Sequence, residues 1–174
     1  MQQALENREA WAEEFEHVWL AHFLASGETD WKIYNKPHNQ TPIGGKGIVL
    51  SKARVALVTS AGSYLAQQQA PFDAANPLGD YSIRLYPNDT PFDQLAYAHD
   101  HYDHTAVKDD PQVLVPLQHL RDLEAEGIIG SFAPTVISFM GYQPDIRRTM
   151  DETAPAVLNA LQDQQATAAL FVPS

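Results

Sequence analysis

Three short apolar runs constrain this chain more than anything else in it: Arg54-Val-Ala-Leu-Val-Thr-Ser60, Pro134-Thr-Val-Ile-Ser-Phe-Met140 and Ala168-Ala-Leu-Phe-Val172. Each is too short for a core helix and carries few polar residues. The first is rich in β-branched side chains and nearly continuous, the pattern of a parallel strand buried on both faces. The other two read as strands. Tyr81-Ser-Ile-Arg-Leu-Tyr86 alternates and reads as a further strand. Between them, residues 115–129 are amphipathic, with Leu117, Leu120, Leu123 and Ile128 on one side and Gly127 and Gly130 as terminators. Asp145 sits where a helix cap is wanted, and a helix from there to about Gln165 must be kinked or divided by Pro155. Thr90 is placed to cap a short helix over 91–98. Strand and helix alternate from residue 54 onward, so the expected fold is α/β, one domain over 52–174 with a mainly parallel sheet flanked by helices. Ahead of it, 1–51 reads as an N-terminal helical arm. Leu5, Trp11, Phe15, Val18, Trp19, His22 and Phe23 recur at helical spacing, Gly27 ends the helix, and a connector rich in Pro and Gly follows.

A sheet of this type places its functional site beyond the carboxyl ends of its strands. Those ends fall at Thr59 to Ser63, Pro87 to Asp89, Gly141 to Tyr142 and Pro173-Ser174. Thr59, Ser60, Gly62, Met140, Gly141 and Tyr142 are therefore the candidate residues for binding a small-molecule substrate. In Thr59-Ser-Ala-Gly62, backbone N–H groups can face an anion, although a strand-to-loop turn needs the same small residues.

The densest chemistry lies at His99-Asp-His-Tyr-Asp-His104, which holds three of the chain's seven histidines. His99, Asp100, His101, Asp103 and His104 are the candidate catalytic groups. Imidazole and carboxylate also suit Zn, Fe or Mn, with His99, His101 and His104 as the ligands. The string matches the H-x-H-x-D-H motif of metallo-β-lactamase-like hydrolases. In those proteins the motif follows an apolar strand and further ligands come later. Here residues 93–98 look helical, and the only later histidine is His119. A polar loop whose His and Asp side chains bond each other accounts for the same residues without any chemistry.

A formal charge of -11 disfavours nucleic-acid backbones and anionic membranes as partners. There is no cysteine, so thiolate metal sites and disulfides are excluded within these residues. The polar, acidic first residues do not look like a signal peptide, and no apolar run reaches the length of a membrane span. The cytoplasm is the expected compartment.

Several stretches occur in an order that resembles the selenoprotein B component of the glycine/sarcosine/betaine/D-proline reductases. They are 54–62, His99 to His104, Gly127-Ile-Ile-Gly-Ser131 with Ser138-Phe-Met-Gly-Tyr142, Glu152-Thr-Ala-Pro155 and the closing strand at 168–173. The resemblance covers about 42–174. It implies reductive cleavage of a C–N bond in a small amino acid or betaine. In that chemistry a selenocysteine or cysteine attacks the carbon bearing the nitrogen, and partner subunits take the product onward. It also implies that the nucleophile follows the strand at 168–173 and that a second α/β half comes after it. These 174 residues contain neither. The expectation is thus a short form, cut at a selenocysteine codon or naturally short, acting as a subunit or a degenerate member. By position the His/Asp segment should border the cleft, where an imidazole would protonate a leaving amine and a carboxylate would hold an ammonium group. The apolar stripe of the N-terminal helix points to a homo-oligomer or to a partner reductase subunit. The competing expectations are a metal-dependent hydrolase or lyase built on His99 to His104, and a non-catalytic binding or scaffold subunit.

Overall fold

The computed structural model describes residues 5–41, 44–45, 47–98 and 105–174. They form two units: Met1–Gly47 with Asp145–Arg147, and Ile48–Pro144 with Arg148–Ser174.

In the first unit the apolar spacing does give a helix. α1 (Arg8–Glu14) runs into a π-helical stretch, Phe15–Leu20, and then into α2 (Ala21–Ser26), which Gly27 closes in the left-handed conformation at φ 73°. Residues four apart stack their rings. Centroid distances are 5.0 Å for Trp11 and Phe15, 5.4 Å for Phe15 and Trp19, and 6.0 Å for Trp19 and Phe23. Trp31 and Tyr34, from the segment after the helix, close over this ladder. Each such pair contributes about 0.5–1.5 kcal/mol beyond its burial. The segment is also tied by hydrogen bonds: Trp11 Nε1 donates to the Asn35 carbonyl at 2.8 Å, and the Glu6 carboxylate accepts from the N–H groups of Gln40 and Thr41. Those two bonds hold the Glu6 carboxyl below its usual range. Trp11, Phe15 and Trp19 are therefore buried within the chain. The stripe that pointed to another subunit is largely covered by the chain's own aromatics.

The second unit is built on β1 (Arg54–Thr59), buried from Val55 to Thr59. β2 (Ser63–Leu65), β3 (Ile83–Pro87) and β4 (Leu95–Tyr97) come next. α3 (Thr105–Asp109) and α4 (Leu117–Ala125) precede β5 (Ser131–Phe132) and β6 (Thr135–Phe139). α5 (Ile146–Arg148), a π-helical turn Thr149–Thr153 and α6 (Ala154–Asp163) lead to β7 (Ala168–Val172). β1 pairs in parallel with β7 along Val55↔Ala168 to Thr59↔Val172, and with β5 and β6 on its other edge. The register on that edge shifts by two residues between Arg54↔Ser131 and Val58↔Ile137. Ala133 and Pro134 make the bulge, and Asn88 donates to both of their carbonyls at 2.9 Å. Leu57, Val136, Leu117 and Leu120 pack on one face of the sheet, and Val58, Ile137, Val157 and Ala160 on the other. The expected α/β architecture, a mostly parallel sheet between helices, is what the residues form.

Two expectations fail here. β3 runs antiparallel to β6, Ile83↔Phe139 to Pro87↔Thr135. A parallel return needs a crossover of helical length, and residues 66–82 contain no helix. Pro87 to Asp89 thus lies at the opposite end of the sheet from the other strand ends. The helix expected over 91–98 is a single 3₁₀ turn, Phe92–Gln94, followed by β4, which pairs antiparallel with β2. The Thr90 hydroxyl donates to the Pro87 carbonyl and closes a turn rather than capping a helix. A smaller correction concerns Ile128. Gly127, at φ 70°, turns the chain so that Ile129 is buried and Ile128 is exposed.

Gly130 lies so close to the chain before β1 that an added Cβ would sit 2.8 Å from the Lys52 carbonyl carbon and 2.9 Å from the Ala53 oxygen. Gly130→Ala should cost about 1–3 kcal/mol of stability in urea unfolding, because backbone must move to admit the methyl group. An unchanged midpoint would contradict this packing.

Candidate functional site

The parallel pairing of β1 with β6 and β7 brings three carboxyl ends to one edge of the sheet. A cleft of about 670 Å³ opens there. Phe139 and Phe171 give it apolar walls above the fully buried Val58, and Ser60, Gly141, Tyr142 and the Val172–Ser174 segment form its mouth. None of these lining side chains carries a charge at neutral pH.

Of the residues expected to bind substrate, Ser60, Gly141 and Tyr142 line this cleft. Thr59 and Met140 are fully buried beneath it. The Thr59 hydroxyl donates inward to the Leu114 carbonyl at 2.9 Å and accepts the Ala61 N–H at 3.2 Å. Gly62 marks a crossing of chains at φ 63°. Its N–H bonds the Phe139 carbonyl at 2.9 Å, and its own carbonyl receives the Ala98 N–H at 3.0 Å. Beside it, Ala61 and Met140 form an isolated bridge. His99, Asp100, His101, Asp103 and His104 lie outside the described residues. Their neighbours are fixed on both sides: Ala98 bonds Gly62, and Val107 is buried in the core. Among the described residues, no group of three or more His, Asp or Glu is placed to hold a metal ion. The residues just before the His/Asp segment are a strand after all, β4, whereas His119 is exposed on α4.

Tyr142 is anchored by a loop rather than by the sheet. Its hydroxyl donates to the Pro77 carbonyl at 2.8 Å, and Gly79, at φ 82°, passes so near that a Cβ would meet the Tyr142 carbonyl oxygen at 2.7 Å. Burial pushes the Tyr142 phenol up from its ordinary value. The loop is held by Asp80, whose carboxylate accepts from the Asp73 N–H and from the Ser82 N–H and hydroxyl. Burial alone would raise the Asp80 carboxyl. These bonds and the nearby Arg84 outweigh it and hold the group below its usual range.

The sequence reading missed a buried polar set behind the site. Ser63 Oγ lies 2.8 Å from Tyr86 Oη and donates to Ser138 Oγ at 2.9 Å, joining β2 to β3 and β6. Burial drives the Tyr86 phenol well up, offset in part by the Ser63 bond, so the phenol stays protonated. The signal was present as a serine inside the apolar run Val136-Ile-Ser138 and a second serine just after Gly62.

The described residues thus define an α/β protein whose parallel strands end together at one cleft. The family model for glycine/sarcosine/betaine reductase selenoprotein B matches residues 34–173, and the chain belongs to that family. It is 32% identical over 122 residues to the D-proline reductase subunit gamma of Acetoanaerobium sticklandii, covering 70% of this chain and 49% of that protein. It is 35% identical over 94 residues to the sarcosine reductase complex component B subunit beta of Peptoclostridium acidaminophilum, covering 53% of this chain and 21% of that protein. The chain thus spans about half the length of the first relative and about a fifth of the second. No solved structure matches it.

Two measurements test this geometry. Tyr86→Phe should lower stability by about 1–2 kcal/mol in urea unfolding, through the lost bond to Ser63. Asp80→Asn should destabilise at neutral pH, and its difference from the parent should shrink as pH falls below about 4. A depressed carboxyl stabilises only above its unfolded pKa, and that contribution disappears as it protonates. A difference constant from pH 7 to pH 3 would contradict the role given to Asp80.

Proposed function

We propose that this chain is a selenoprotein-B-type subunit of an amino-acid reductase, and that its strand-end cleft holds an N-alkylated α-amino acid. The observation that carries the reading is the family match over 34–173, which includes every residue lining the cleft except Ser174. The two relatives are named for D-proline and sarcosine, both secondary amines. Apolar walls from Phe139 and Phe171 suit the alkyl part of such a molecule. The charges of a zwitterion need partners that these lining side chains do not supply.

The His99 to His104 segment is the source we assign. It is tethered at Ala98, which bonds the strand-end residue Gly62. A chain reaches only about 3.5 Å per residue. His99, His101 or His104 would protonate the amine as the C–N bond breaks and the bonding pair leaves on nitrogen, while Asp100 or Asp103 holds the ammonium group beforehand. The attacking thiolate or selenolate, which forms the new bond to carbon, comes from outside these 174 residues, because they contain no cysteine. On this reading the chain works as a homo-oligomer or beside a partner reductase subunit. The reducing cytoplasm suits that chemistry. No helix among the described residues is long and apolar enough to cross a membrane.

Titration of ¹⁵N-labelled protein with sarcosine and with D-proline should shift the amides of Ser60, Gly141, Tyr142 and Val172, with glycine weaker. An absence of shifts at millimolar ligand would overturn the assignment. Protein purified without a histidine tag should contain no stoichiometric metal. Stoichiometric Zn, Fe or Mn that disappears in a His99→Ala/His101→Ala variant would replace the reductase reading with a metal-dependent hydrolase or lyase.

A further inference from the structure

The three strand ends at the cleft are not joined by the sheet alone. β7 is an edge strand, and its ladder with β1 ends at Thr59↔Val172. Pro173 follows and has no N–H to extend a ladder. Ser60 takes over at that point. Its N–H donates to the Val172 carbonyl at 3.1 Å, and its carbonyl accepts the Gly141 N–H, just past β6, at 3.1 Å. Its hydroxyl accepts the Ser174 N–H at 2.8 Å and lies 3.0 Å from Ser174 Oγ. Ser174 Oγ in turn lies 3.1 Å from the Ser60 carbonyl, to which it can donate. The neighbouring Thr59 hydroxyl points inward to Leu114 and takes no part.

We infer that the Ser60 hydroxyl is a positioning group that holds the chain leaving β7 across the mouth of the cleft. The backbone bonds of Ser60 persist whatever its side chain, and they tie β6 and β7 to β1. The hydroxyl adds the bond to the Ser174 N–H and the contact with Ser174 Oγ, and so fixes the direction taken after Pro173 together with the Ser174 Oγ bond to the Ser60 carbonyl, and with it the width of the opening between Tyr142 and Ser174. Its importance for ligand binding rests on the reading of the cleft given above. The clasp itself does not.

The test uses the full chain with Ser60→Ala and Ser60→Thr. In Ser60→Ala, hydrogen exchange at the Ser174 amide should rise about tenfold or more, whereas the Leu57 and Leu170 amides keep their rates. Ser60→Thr, which restores a hydroxyl, should return the Ser174 rate to that of the parent. An unchanged Ser174 rate in Ser60→Ala overturns the inference. So does a rise at Ser174, Leu57 and Leu170 together, which would mean general loosening. Sarcosine and D-proline titrations of the same proteins report separately on the ligand. If the parent binds neither while the exchange pattern holds, the clasp stands and the reading of the cleft falls.

Discussion

Everything in the second unit hangs on the burial of β1. Val55 to Thr59 is enclosed on both faces and paired on both edges, in parallel with β7 on one side and with β5 and β6 on the other. A strand so placed leaves no backbone group to water and no face free, so its residue types are narrowly constrained. Each fully buried Val or Leu in it is worth about 1.5–3 kcal/mol against exposure. Parallel pairing also decides where chemistry can happen. Three strands running the same way finish on one side of the sheet, and among the described residues their ends meet at the cleft.

That dependence explains which parts of the fold could be read from the chain. β1 and β6 were legible because buried strands in such a sheet carry their burial in their own composition, and β7, although half-exposed at the edge, was legible as one more short apolar run. The direction of β3 was not, since it depends on whether the preceding segment forms a crossover helix, and the alternation of Tyr81 to Tyr86 is the same in either direction. β4 was hidden for a related reason. Leu95-Ala-Tyr97 is a strand only because Ser63 to Leu65 is there to pair with it. In the first unit the helical stripe was plain, but its covering was not. Trp31 and Tyr34 lie in a segment with no periodicity, and only the folded chain brings Tyr34 edge-on to the stacked rings of Trp11, Phe15 and Trp19 and sets Trp31 tilted against Trp19.

The site divides in the same way. Its location was expected from topology, and Ser60, Gly141 and Tyr142 do line the cleft. Its walls did not, because Phe139 and Phe171 read as ordinary strand residues until the pairing aligns them on one face. The same rule misjudged Thr59 and Met140. Successive residues of a strand point to opposite sides, so a stretch chosen by position along the chain always mixes lining residues with core residues. The Ser63, Tyr86 and Ser138 set shows the reverse case. Its hydroxyls come from three strands of two sheets and satisfy one another only after folding, as buried polar groups must.

The uncharged lining bears on how a reductase subunit of this family can work. A zwitterion loses its hydration on entering an apolar cleft, and each charge must then find a partner or bind poorly. Phe139 and Phe171 can meet an alkyl portion but cannot hold a carboxylate or an ammonium group. On the reading proposed above, those charges find their partners outside the lining described for the cleft. The hydrogen bond from Ala98 to Gly62 ties the residue after β4 to the turn after β1.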